Sequence, residues 1–383
     1  MFTLAFKMLA GDPTKVLGII VGMTLSTALI AQQGGLFYGL MLRSQSVVSA
    51  ADEVDIWVMH PATRQFNSAT PLADADVMRV RGVGGVAWTS PMIKANVSVS
   101  HRLDRSRPAL LLGLDDLSLT AAPRKIVKGQ RSDLMRPDGI AIDRVGFRKL
   151  WPGEPVETGK VLSINNRRAV VVAITDAAAA FGAEVIIHAR YGVALEYTNT
   201  RRHHAAYVLV GTKPAEPPLL VAQRIQQLTG LTALTRTEFS AATIDYYRKN
   251  TGIVASFSTT IALGVLVGAA IVGLTFSLFV LDNITHYATL RMLGFTSHGL
   301  ALIVLAQVAF LSAIGSAFGI GLAAVFFELV SSPTSALRGF YLPWWIPFLT
   351  VIMMNTAAFV ASSVAVWRVV SIEPDRVFRG QLA

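Results

Sequence analysis

Four stretches of the chain run for at least 24 residues without a charged side chain: Val16–Met41, Ser256–Leu281, Leu300–Phe327 and Trp344–Trp367. Uncharged apolar runs of eighteen residues or more read as membrane spans. A helix as long as the first run extends about 39 Å, enough to cross about 30 Å of hydrocarbon. That run also exceeds the roughly 7–15 apolar residues of a cleaved signal and continues through Gln32-Gln33-Gly34-Gly35, so it is read as a retained span. Lys7, Lys15, Arg291, Arg368, Arg376 and Arg379 flank one set of span ends, whereas the other short loop holds only Arg338. This asymmetry places both termini and the 282–299 loop in the cytoplasm and Arg43–Ala255 outside it.

Between the first two spans the pattern changes to short elements. Val54–Met59 reads as a strand, with Ile56 and Val58 alternating against Asp55 and Trp57. A short helix follows over Leu72–Arg81, then a strand or hairpin over Val86–Val99 and a strand over Ala109–Leu114. Further along come a strand at Ala205–Val210, a helix from Pro217-Pro218 to Gln227 closed by Gly230, and a strand at Leu231–Thr235. This order predicts a mixed α/β sandwich with helices on one face of a sheet, covering 52–116 and 203–237. Residues 117–202 read as a β-rich insertion, with a hairpin turning at Asn165-Asn166. The stalk, 238–250, is helical and breaks at Thr251-Gly252; Leu36–Ala51 continues the first span outward. The predicted fold class is therefore membrane α-helical, with four transmembrane helices and a large extracytoplasmic α+β domain inserted between helices 1 and 2. Its parts are a cytoplasmic segment plus helix 1 (1–43), the external domain (44–250), and helices 2–4 (251–383) with a short cytoplasmic helix at 283–294 and a C-terminal tail.

Composition narrows the function. Hydrophobic residues make up 52%, charged residues 15%, and mean hydropathy is +0.51, against about a quarter charged in soluble domains. The absence of cysteine excludes disulfides, zinc-thiolate sites and a cysteine nucleophile. Of the net charge of +10, residues 44–250 account for +7, with 26 Lys plus Arg against 19 Asp plus Glu. These charges are scattered outside the cytoplasm, which suits anionic headgroups or an acidic partner and not nucleic acid. No P-loop, H-E-x-x-H or G-x-S-x-G motif occurs, and the adjacent His203-His204 face opposite ways on a strand, so no catalytic, cofactor or metal site is expected. The spans hold no charge, which argues against an ion channel or proton-coupled carrier. Gln32, Gln33, Gln307 and Asn355 are too scattered to line a wet path. Single Leu replacements there should leave function intact, and the spans should transmit force. G-x-x-x-G spacing at Gly18/Gly22, Gly35/Gly39, Gly264/Gly268 and Gly315/Gly319 permits close helix contact. These are candidates for helix packing or for a homodimer contact, since four spans alone make a small bundle. Phe340–Trp345 is expected in the headgroup zone.

One long span, a large external domain, three more spans and cytoplasmic termini resemble the MacB/FtsX-type (type VII) ABC transporter permeases, over the whole chain. The loop Thr285-His286-Tyr287-Ala288-Thr289-Leu290-Arg291-Met292-Leu293-Gly294 is similar to the family's coupling helix, although His286 stands where an acidic residue is usual. Ile372–Gly380 is similar to the family's C-terminal ending, and Asp55-Ile56-Trp57-Val58 with Gly84-Gly85 looks DevC-like. The resemblance implies a permease in the bacterial inner membrane that binds no cofactor itself. A separate cytoplasmic ABC ATPase, carrying ATP and Mg, would contact Thr285 and Tyr287–Gly294. Closure of that ATPase would push the coupling helix and move the second span and the stalk. The implied task is export of lipid, lipoprotein or similar hydrophobic cargo, often with a periplasmic adaptor. Two alternatives stay open: an FtsX-like transmitter that regulates cell-wall hydrolases and transports nothing, and a membrane-anchored sensor without an ATPase.

Overall fold

The computed structural model describes residues 7–101, 106–177, 180–198, 204–331, 335, 337 and 339–371. The chain divides into two compact units, one of residues 1–38, 252–331 and 340–383, the other of residues 39–251 and 332–339. The tail motif at 372–380 lies outside the described residues.

Helix α1 (Pro13–Ala50) is unbroken, and its last twelve residues count with the second unit. That unit continues as β1 (Ile56–Met59), β2 (Leu72–Ala73), α2 (Asp74–Arg81), β3 (Val86–Ser100), β4 (Arg107–Leu114), β5 (Ile126–Lys128), β6 (Gly139–Asp143), α3 (Arg144–Leu150), β7 (Val161–Ile164), β8 (Arg167–Thr175), β9 (Val185–Arg190), α4 (Tyr191–Tyr197), β10 (His204–Ala205), β11 (Tyr207–Thr212), α5 (Pro218–Thr229), β12 (Thr232–Thr235) and α6 (Arg236–Asn250).

The long strand β3 organises this unit. Its first half pairs β11, which continues to β1 and β12. Its second half pairs β4, and the order β4-β9-β6-β8 follows. Strand β7 then pairs both β8 and β3, closing a ring of six strands. Alternation explains the ring: Val97, Val99, Ala109, Leu111, Ile140, Ile142, Leu162, Ile164, Ala169, Val171, Val185 and Ile187 share one core, as inward positions of a small barrel do. The continuous apolar run of β4 follows, because Leu110 and Leu112 belong to a second core on the other side.

Residues 86–100 form one strand, the first of the two forms expected there. The two sub-sheets meet within β3, and residues 117–202 contain helices α3 and α4 beside their strands. One expectation is corrected: both faces of β1 are covered, and not one face alone. Ile56 and Val58 pack with Val77 and Val80 of α2 and Val221 and Ile225 of α5, while Trp57 and Met59 meet Phe66, Tyr207 and Phe239 on the opposite face. Trp57 is fully buried, and its ring centroid lies 5.5 Å from that of Tyr207; burying each such aromatic stabilises by about 2–3 kcal/mol.

Local chemistry fixes the ends. Asn165 and Asn166 adopt φ of 47° and 66°, the turn that a two-residue hairpin needs. The Asp143 carboxylate accepts from the amides of Gly146 at 2.9 Å and Ile186 at 2.8 Å, capping α3 and tying it to β9. Helix α6 starts earlier than expected because Thr235 and Glu238 form a reciprocal capping box. Near its other end, the Tyr247 hydroxyl donates to Gln65 Oε1 at 3.3 Å and accepts from Asn67 Nδ2 at 3.2 Å. Thr251 is then extended, and helix resumes at Ile253, the break expected at Thr251-Gly252.

The first unit comprises residues 13–38 of α1 with α7 (Ile253–Asp282), α8 (Ile284–Met292), α9 (Ser297–Val330) and α10 (Trp345–Val370). Helices α1, α7, α9 and α10 are long and apolar enough to cross a membrane. Glycine sets their spacing: a Cβ at Gly315 would lie 2.5 Å from Met23 Cβ, and one at Gly319 would lie 2.6 Å from Thr27 Cβ. Gly22, Gly35, Gly264 and Gly268 likewise meet Ile271, Phe327, Ile30 and Met354 of this chain. Gly39 is buried. Of the glycines expected at helix packing or at a homodimer contact, Gly22, Gly35, Gly264 and Gly268 thus pack within the chain, whereas Gly18 has no atom within 4 Å of an added Cβ. The amide of Asn355 accepts from Ser312 at 2.6 Å and joins α10 to α9. Tyr38 stacks edge-on against Tyr341 and Trp345, while Trp344 is 80% exposed.

Gly319→Leu overpacks the α1–α9 contact and should destabilise the detergent-solubilised chain by about 1–3 kcal/mol, read as a lower melting temperature; Gly18→Leu should leave it unchanged. His188 on β9 is buried and its Nδ1 has no partner, so burial pushes its pKa from 6.5 down to about 4. Between those values the unfolded chain holds a proton that the folded chain lacks, so stability is full above pH 6.5 and declines as pH falls toward 4. The decline should be on the order of 3 kcal/mol. Melting curves from pH 7.5 to 4 should show this acid loss in the native chain and a flatter profile in His188→Leu.

Candidate functional site

The densest cluster of site residues expected from sequence lies on α8, between α7 and α9. Asn283 separates α7 from α8 and returns its side-chain amide to the Phe279 carbonyl at 2.9 Å. At the other end Gly294 adopts φ of +93°, a left-handed conformation that ends the helix at little steric cost. Thr296 then caps α9 by accepting from the Gly299 amide. A nine-residue helix held between two short breaks results.

Its two faces differ. Tyr287 and Ala288 are fully buried in the bundle core with Leu300, Ile303 and Val304 of α9, and Leu290 packs partly against the same core. The Tyr287 hydroxyl donates to Gln307 Oε1 of α9 at 3.3 Å. One turn on, Arg291 Nη1 donates to the Val370 carbonyl of α10 at 2.7 Å, placing a cation at the C-terminal end of that helix where its dipole favours one. Thr285, His286, Thr289, Met292, Leu293 and Gly294 face outward, with Met292 58% and Leu293 73% exposed. Tyr287 and Ala288, expected at the ATPase contact, are instead buried in this chain's own core. Leu290 and Arg291 are mostly engaged within the chain as well.

Sequence reading missed Gln307 as a partner of Tyr287. The available signal was an amide within an uncharged run together with a hydroxyl on the neighbouring short helix. Nearby, Lys15 bridges Asp12 at 2.6 Å and also reaches Asp282 at the end of α7. In the other unit, Asp55 is structural: its carboxylate accepts from the amide and hydroxyl of Thr212 at 2.8 and 3.0 Å, fastening β1 to the end of β11. That unit also encloses a cavity of about 300 Å³ beside the last turns of α1, bordered by Val47, Ala50, Trp57, Leu112 and His188. The charges at its edge are already paired, Lys125 with Asp176 at 2.8 Å and Arg124 with Asp52 at 3.3 Å. Among the described residues, no three His, Asp or Glu side chains converge as a metal site would require.

Comparison with known proteins adds the family. A family model described as the MacB-like periplasmic core domain matches residues 16–228, and one described as the FtsX-like permease C-terminal matches residues 258–374. No curated protein matches. Among solved structures, the chain is similar to the extracellular domain of the noncanonic ABC-type transporter YknZ from Gram-positive bacteria. There the identity is 12%, over 47% of this chain and 98% of that one, with a TM-score of 0.37. It is also similar to the periplasmic region of MacB from Actinobacillus actinomycetemcomitans, at 12% identity over 53% of this chain and 95% of that one, with a TM-score of 0.39. The two family models between them take in the inserted domain and the helices after it, and the first covers more than half of the chain. The chain belongs to the MacB/FtsX family of multi-pass ABC-type permeases.

Proposed function

We propose that this chain is the permease subunit of an ATP-driven exporter in a bacterial inner membrane, acting as two copies with a separate cytoplasmic ATPase. ATP and Mg reside on that partner and none on this chain. The observation that carries the reading is the division of α8. Its inner face is anchored in the bundle, while Met292 and Leu293 stand exposed beside Thr285, His286 and Thr289. A short helix with an apolar outer ridge, fixed firmly at its back, suits a groove on a partner that moves it as a unit. With His286 in place of a carboxylate, apolar contact and shape contribute more to this docking than an ion pair does. The force passes along the helices to the MacB-like domain, which handles a lipid, lipoprotein or similar hydrophobic cargo outside the membrane, with a periplasmic adaptor as the receiving partner.

Two measurements test this reading. Because Leu293 touches little of its own chain, Leu293→Asp should preserve the melting temperature while lowering co-purification of the ATPase at least tenfold; an undiminished complex would place the contact elsewhere. For orientation, a reporter active only outside the cytoplasm should work when inserted at Gly182 and be silent at Ser297. The reverse pattern would overturn the cytoplasmic placement of α8.

A further inference from the structure

We propose that Tyr287 is a positioning residue, whose hydrogen bond to Gln307 makes α9 follow α8, so that motion entering at α8 reaches the third and fourth spans as directly as the second. This rests on the reading of α8 as the ATPase contact.

A phenylalanine would fill the same apolar volume as Tyr287, so packing alone does not require the hydroxyl. A buried hydroxyl needs an acceptor, and this one meets a side chain that is itself 1% exposed. Gln307 lies ten residues into α9, about 15 Å along its axis, so the contact grips the body of that helix and not its first turn. Apolar contacts let helices slide and rotate with small changes in energy. A hydrogen bond between two buried groups fixes both register and rotation. Tyr287 and Arg291 stand four residues apart on one face, and the second bond goes to the end of α10. A single short helix is thereby joined to two long ones by directional bonds, in addition to its covalent links to α7 and, through residues 293–296, to the first turn of α9.

The test uses the full permease with its ATPase in lipid nanodiscs. Since the chain has no cysteine, Thr237→Cys, on the exposed side of α6, gives one labelling site for an environment-sensitive maleimide dye. Three variants are compared in that background: Tyr287→Phe, Gln307→Leu and the pair together. Each should keep ATPase co-purification, and the double variant should melt no lower than Gln307→Leu alone, since that single change leaves the buried Tyr287 hydroxyl unmet and the second removes it. The ATP-dependent fluorescence change should fall at least fivefold in both single variants and no further in the double. A signal retained by both single variants overturns the proposal. So does a signal that returns in the double variant along with its melting temperature, because that outcome makes the bond a matter of stability alone. If the unmutated permease neither retains the ATPase nor shows an ATP-dependent signal, the coupling reading itself fails and this proposal with it.

Discussion

Close approach of helix backbones is the constraint on which the membrane unit depends. Hydrocarbon supplies no hydrophobic drive between helices, so association relies on packing and on hydrogen bonds across the contact. At Gly319 an added Cβ would lie 2.7 Å from the Thr24 carbonyl oxygen, leaving no room for any other residue. The same closeness lets the Thr24 hydroxyl donate to the Gly315 carbonyl at 3.2 Å. Helix α1 has no short loop to hold it beside α9. Its place in the bundle depends on these glycine contacts and on those of Gly22 with α7. The Ser312–Asn355 bond does the same for α9 and α10.

Much of this was legible in the sequence, because the signals are strong and local. Long uncharged runs leave few alternatives to spans. Pro218 and Gly230 bracket α5 because one presets a helical φ and the other accepts a left-handed one. Asn165-Asn166 marks its hairpin for a similar reason. Non-local pairing was the illegible part. The closing of β7 onto β3 depends on Val99 meeting Ile164 and Ser100 meeting Ser163, and no local pattern announces a partner that far away. The apolar run of β4 was read correctly as a strand, yet the reason for it, a core on each side, appears only once the ring is closed. The Thr235–Glu238 capping box was present in the sequence and unread.

The site residues divide along the same line. Spacing and composition locate α8 but give no account of which side faces in, because the pattern of Thr285 to Gly294 is nearly balanced between apolar and polar positions. Tertiary packing decides it, burying Tyr287 and Ala288 and leaving Leu293 outside. The amides within the spans teach the same lesson. Gln307 and Asn355 form no stripe, which is the mark of a conduit, yet each bonds a neighbouring helix, Gln307 through Tyr287 and Asn355 through Ser312 and Ser316.

The order in which the strands leave the ribosome gives the sheet topology a further meaning. Strand β1 lies between β11 and β12, whose residues arrive about 150 and about 180 positions later in the chain. The six-stranded ring needs only residues 86–190. As the domain crosses the membrane from its N-terminal end, the ring has all its partners well before β1 has any. Trp57 and its neighbours must therefore stay out of a finished core until α6 has nearly emerged. Long-range pairing of this kind is slow and leaves apolar surface open while it waits. Completion of the outer domain is thus tied in time to the entry of α7 into the bilayer, and a chain stalled before that point would present an unpaired apolar strand to the quality-control machinery outside.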